Sequence, residues 1–123
     1  MKNDARKYDL EGRLLNYTIN IIKVVEALPN TRTGNHIANQ LLRSGTSPYP
    51  NHGEAQAAES NNDFIHKMRI CLKELRETYS WLKVITKLEL ISYVDKANNV
   101  LIETEELIKI FVTSIKTAGH RKK

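Results

Sequence analysis

Three stretches of the chain space their apolar residues at alternating steps of four and three, and this restricts the fold more than any other feature. The first is Leu10, Leu14, Tyr17, Ile21, Val24 and Leu28. The second is Phe64, Met68, Cys71, Leu75, Leu82 and Ile85, with Thr78 filling its gap; the third is Val94, Ala97, Leu101, Thr104, Ile108, Phe111 and Ile115. Such a period lines one side of an α-helix, and its mean of 3.5 suits helices that cross at shallow angles.

The ends of these runs carry helix punctuation. Asp9 is a fitting N-cap or first-turn acid, and Pro29 stops the first helix because proline disfavours a helical residue before it and has no N–H to give, so helix one is expected over about 9–28. Asn30 or Thr31 can cap a second helix bearing Ile37, Leu41 and Leu42, which reaches Arg43 before Ser44-Gly45-Thr46-Ser47 loosens the pattern. Ser47 before Pro48 matches N-cap before N1, and Pro50 still falls among the donors that a first turn leaves unpaired. A restarted helix through Ala58 follows, with a kink near Ser44 to Pro50. Ser60 with Asp63 resembles a capping pattern ahead of a third helix over about 61–87. A fourth runs from Val94 to about Thr117, with Gly119 where a stop belongs. The expected fold is all-α, an antiparallel up-and-down four-helix bundle over residues 8–117, with a flexible segment at 1–7 and a basic tail at 118–123.

Composition agrees. For 123 residues one domain is the natural expectation, the 7% aromatic content describes an aliphatic core, and five glycines with three prolines leave few turn signals for a many-stranded sheet. The single cysteine, Cys71, cannot form an internal disulfide, and it sits on an apolar stripe as a small buried hydrophobe. No apolar run approaches the roughly 20 residues of a membrane helix, and the opening residues are charged, so a cytoplasmic protein without a membrane partner is expected. Net charge is +5 with a pI near 9.4, and Arg121, Lys122 and Lys123 supply three of the positive charges. That bias suggests nucleic acid or an acidic partner.

Several polar residues recur in an order that no heptad requires: Asp9-Leu10, Leu28-Pro29, His36-Ile37-Ala38-Asn39-Gln40-Leu41-Leu42-Arg43-Ser44-Gly45-Thr46-Ser47, Asn51, Glu54-Ala55, Asp63-Phe64, and Lys73-Glu74-Leu75-Arg76-Glu77-Thr78 with Trp81-Leu82. On these residues the chain resembles the 23S rRNA intervening-sequence protein family, also described as ribosomal-protein-like, from about residue 8 to 115. It departs from that pattern at Tyr49-Pro50, where the family usually has small residues. The resemblance implies a left-handed four-helix bundle assembled as a homopentameric ring, with members encoded inside bacterial rRNA insertions. Related members are accessory proteins of diversity-generating retroelements, associated with nucleic acid and a reverse transcriptase. The family has no established catalytic residues, and no enzyme activity or cofactor is expected.

Within this frame, the clearest charge pattern is on the third helix, where His66, Arg69, Lys73, Arg76, Lys83 and Lys87 follow steps of three and four except across Ser80. They share a face about 120° from the apolar stripe and can track RNA or DNA phosphates, with the tail residues Arg121, Lys122 and Lys123 adding to them. The competing reading is a solvated face neutralised by Glu74 and Glu77. A further face bears Ile70, Glu74, Glu77, Trp81 and Val84; it is either an oligomer contact or the broad edge of the core. Arg43, Ser44, Ser47, Asn51 and Glu54 are either a polar network pinning the helix break or a binding site. Ser47, Glu54 and His52 do not make a hydrolase, for no glycine-framed nucleophile turn or oxyanion hole accompanies them. His36, His52, His66 and His120 never fall at metal-ligand spacing, so no metal is expected. Two roles remain open: phosphate binding through the ridge, or a scaffold that docks another protein.

Overall fold

In the computed structural model, residues 2–92 and 94–121 are described, with side chains for 9–92 and 96–121. The helices are α1 (Lys2–Ala27), α2 (Arg32–Thr46), α3 (Pro48–Gln56), α4 (Asn61–Leu88) and α5 (Val94–Arg121). Helix α1 packs on α2, the α2–α3 pair packs on α4, α4 packs on α5, and α5 returns to α1. With α2 and α3 counted as one bent helix, this is the expected four-helix bundle, α1 lying diagonally opposite α4.

Capping chemistry sets the boundaries. Thr31 takes extended geometry (φ −131°, ψ 170°), and its Oγ1 accepts the Gly34 N–H at 3.0 Å; Ser60 repeats the arrangement with the Asp63 N–H at 3.1 Å. Helix α4 ends at Glu89, in the left-handed region at φ 51°, where its N–H reaches the Ile85 and Thr86 carbonyls. Two ends differ from the sequence reading. Helix α1 begins at Lys2, ahead of Asp9, and α5 passes Thr117 and Gly119 to Arg121, because Ala118 is buried and its carbonyl accepts from Asn61 Nδ2 at 2.8 Å. Gly119 is therefore not a stop.

The bend between α2 and α3 also differs. Helix α2 does not loosen at Ser44 but stays regular through Thr46, and Ser47 keeps helical angles (φ −71°, ψ −39°) without capping α3 through its side chain. Ser47 instead holds Asn51, whose Nδ2 donates to the Ser47 carbonyl and Oγ, both at 3.0 Å. The prolines remove two amide donors from the ladder, which turns the chain without extended residues. Gly45 precedes the bend, and a Cβ there would lie 2.6 Å from Ile21 Cγ2, so the α1–α2 contact needs the missing side chain.

The core is aliphatic around Leu14, Ile21, Leu41, Met68, Leu75, Leu82, Leu107 and Phe111. On α5 the buried positions are Val100, Leu107 and Phe111, while Leu101, Ile108 and Ile115 of the expected stripe are half-buried. Four buried hydroxyls, one from each long arm of the bundle, cross this core as two pairs. Tyr17 Oη lies 2.7 Å from Thr104 Oγ1, and Thr78 Oγ1 lies 2.9 Å from Ser44 Oγ. Each threonine also donates to a carbonyl one turn back, Val100 at 2.7 Å and Glu74 at 2.8 Å. A hydroxyl has one proton, so with Thr104 donating to Val100 it is Tyr17 that donates across the first seam, while the Thr78 proton is shared between Ser44 Oγ and the Glu74 carbonyl. Burial holds the Tyr17 phenol far above its usual pKa, which keeps it a neutral donor.

Candidate nucleic-acid interface

Helix α4 presents three sides. Its apolar side, Met68 to Ile85, enters the core; Glu74 and Thr78 turn toward α2; His66, Arg69, Lys73, Arg76, Lys83 and Lys87 project into solvent, all six exposed. The six share one exposed side of α4. Glu74 and Glu77, the carboxylates offered as the row's ion-pair partners, are taken by Arg43 of α2. Arg43 Nη1 is 2.9 Å from Glu74 Oε1, and Nη2 bonds Glu77 Oε2. The reason is geometric: Glu74 is buried against α2, with its side chain only 11% exposed, where Arg43 of that helix reaches it. Among the described residues, Arg69, Lys73, Arg76, Lys83 and Lys87 make no ion pair. The Lys83 ammonium lies 5.8 Å from the centroid of the Tyr79 ring.

The Trp81 face is partly spent within the chain. Trp81 Nε1 donates to Glu77 Oε2 at 3.2 Å, and its ring meets His36 edge-on at 5.8 Å between centroids. Ile70 is half-buried on the same side, and Val84 is exposed. Glu74, Glu77 and Trp81 thus border the α2–α4 seam, where Gln40 accepts from Arg43 at 3.4 Å.

Arg43, Ser44, Ser47, Asn51 and Glu54 do not form one network. Arg43 belongs to the Glu74–Glu77 pair, Ser44 to Thr78, Ser47 to Asn51, and Glu54 to Lys67, which it meets at 2.7 Å. Each ties a different point of α2 or α3, and three of the four ties end on α4. Cys71 adds another, its Sγ 3.5 Å from the Pro48 carbonyl, and burial pushes its thiol up to about 12.

Two features escape the sequence reading. Leu15, Ile19 and Ile22 of α1 and Leu42 of α2 are each at least 40% exposed, a second apolar strip on a helix whose first strip fills the core. Spacing at i, i+4 and i+7 would have revealed it. The other is His52, buried on α3 and edge-on to Phe111, which borders a cavity of about 550 Å³ with Leu10, Tyr49 and Pro50; burial lowers its pKa. The α1–α3 packing that buries His52 has no local sequence signal.

Of the tail, Arg121 closes α5 and is exposed, while Lys122 and Lys123 lie outside the described residues. No group of three or more His, Cys, Asp or Glu among the described residues is arranged to hold a metal, and no described helix is long and apolar enough to cross a membrane.

Fold and site together define a class: a four-helix bundle whose longest helices are α4 and α5, with a row of exposed cations along the former. The chain belongs to the 23S rRNA-intervening sequence protein family, whose model matches residues 9–113. Among solved structures it is similar to a protein of unknown function from the S23 ribosomal protein family of Bacteroides thetaiotaomicron, at 32% identity and a TM-score of 0.78, over 86% of this chain and 97% of that one. No curated protein matches it.

Proposed function

We propose that this protein is a non-enzymatic, homo-oligomeric binding protein, a pentamer by its family resemblance, that contacts RNA or DNA phosphates through the α4 ridge and the Arg121 to Lys123 tail. The observation that carries the proposal is the diversion of Glu74 and Glu77 to Arg43, which leaves five cations exposed without ion-pair partners among the described residues. An anion replacing their counterions gains the entropy of counterion release, and a ring of copies adds the fields. The family's association with an rRNA insertion is consistent with such a partner. The contacts reach phosphate rather than base edges, so little sequence preference is expected.

Fluorescence anisotropy with labelled RNA and DNA tests this reading. Binding at low salt should weaken steeply as salt rises and fall by at least about tenfold in the Arg69→Gln/Lys73→Gln/Arg76→Gln variant. No binding of either polymer at low salt would remove the proposal.

A second reading, a protein scaffold or accessory subunit, is favoured by the strip of Leu15, Ile19, Ile22 and Leu42, which suits a protein contact better than solvent. Its mark is an association that Ile19→Glu abolishes and the ridge variant leaves intact. A monomeric mass in solution would exclude the ring and the summed field together.

A further inference from the structure

Resting on the phosphate-binding reading, we infer that the α4 ridge is one side of a two-row surface built for double-stranded nucleic acid, gripped across a groove by phosphates of both strands. The rows follow from contacts that fix the helix orientations. On α4, Glu74 and Thr78 mark the side facing α2, and the ridge lies on the opposite flank, toward α5 and solvent. On α5, Glu103 marks the side facing α1, where both its carboxylate oxygens hold Arg13 at 3.0 and 2.7 Å. At 100° per residue, Lys109 and Lys116 fall on the other flank of α5, beside α4, and both are exposed. Packed helices lie about 8–10 Å apart, and the Asn61–Ala118 contact sets their antiparallel register, so Lys116 and Lys109 stand beside the His66 to Lys73 end of the ridge.

Dimensions favour a rigid partner. From Arg69 to Lys87 the ridge spans about 27 Å at the helical rise, roughly eight base pairs of duplex. A straight, preformed row matches a stiff polyanion without ordering it, whereas a flexible strand must be straightened to follow it. A duplex offers phosphates on both borders of a groove, and a single strand offers one line.

Aromatic placement points the same way. Proteins that hold single strands draw much of their affinity from bases stacked on exposed rings. Among the described residues no Phe, Tyr or Trp of the ridge is fully exposed: Tyr79 is half-buried and attended by Lys83, Trp81 is on the α2 side, bonded to Glu77 and covered in part by His36, and the ridge's own ring is the His66 imidazole. The seam also contains an opposing charge. Glu105, exposed on the α4-facing flank of α5 one turn before Lys109, makes no ion pair among the described residues and will repel a phosphate there.

The test compares, on the full chain, a mixed-sequence DNA duplex of about 16 base pairs, twice the ridge span, the matching RNA duplex, and their separate strands. Anisotropy at about 50 mM salt should show at least one duplex bound about tenfold more tightly than its strands. Which duplex wins distinguishes RNA from DNA as the source of the phosphates. Lys109→Gln/Lys116→Gln should weaken duplex binding several-fold and strand binding less, and Glu105→Gln should strengthen duplex binding by about threefold. Circular dichroism confirms that each variant folds. Strands bound as tightly as duplexes, with the ridge still required, would overturn the duplex inference and leave phosphate binding standing. No binding of any probe would overturn both.

Discussion

Replacing Thr78 by valine swaps one buried hydroxyl for a methyl of similar size and leaves the Ser44 hydroxyl, fully buried, without its side-chain partner at 2.9 Å. An unsatisfied buried donor costs about 1–3 kcal/mol, and Ser44 can recover part of this by turning to a carbonyl one turn back in α2, so about 1.5 kcal/mol is expected. Thr78 also gives up its bond to the Glu74 carbonyl, which a helical carbonyl tolerates because its ladder bond remains. For a chain of this size the unfolding entropy converts that loss to a fall in Tm of about 6 °C. Ser44→Ala alone should cost less, about 0.5–1 kcal/mol, because Thr78 keeps Glu74 as acceptor. The informative variant is the double one. With both hydroxyls gone no donor is stranded, and stability should return to within about 0.5 kcal/mol of the parent, a coupling of about 1 kcal/mol or more. Urea titration at fixed protein concentration measures it, the concentration being held because association adds to apparent stability. Additive losses in the double variant would show that the two hydroxyls are not a coupled pair.

Other expectations can be checked on the same preparations. Gly45→Ala should destabilise by about 1–3 kcal/mol in urea, since its Cβ would fall 2.6 Å from Ile21 Cγ2, and Gly53→Ala, with open space around it, should be near neutral or stabilising. The buried His52 has a pKa below its unfolded value near 6.5, so the unfolded chain binds the extra proton as pH falls. Its contribution is therefore fully present above about pH 6.5 and lost through the lower folded value, and His52→Gln should flatten that part of the stability curve against pH. Cys71 is buried, with its thiol pushed up to about 12, so a disulfide reagent at neutral pH should label it only as fast as the protein unfolds.

The bundle was legible because the information is periodic. Leu14, Tyr17, Ile21 and Val24 sit at helical steps and are all buried, and the Ser60 cap and the Pro29 stop act locally. What required coordinates was pairing between helices. Nothing around Glu77 says that it will turn to Arg43 in another helix rather than to Lys73 one turn away, because both cations are within its reach in principle and only the α2–α4 packing decides. Ser47 misled for a related reason: Ser before Pro fits a cap, yet the chain stays helical there because α3 packs on α4 and the bend is spread over two prolines. On α5, the shift of burial from Leu101 and Ile108 to Val100 and Leu107 reflects a rotation that a stripe of alternating threes and fours leaves undetermined.

The salt dependence of nucleic-acid binding tests the central claim most directly, because it counts phosphate contacts instead of inferring them. With each cation of the ridge worth about 0.9 in the slope of log K against log salt on a duplex, Arg69→Gln/Lys73→Gln/Arg76→Gln should flatten the slope by about 2.7 while the fold stays intact. A slope unchanged by the three substitutions, whatever the affinity, would place the contacts elsewhere and contradict the assignment of the α4 ridge.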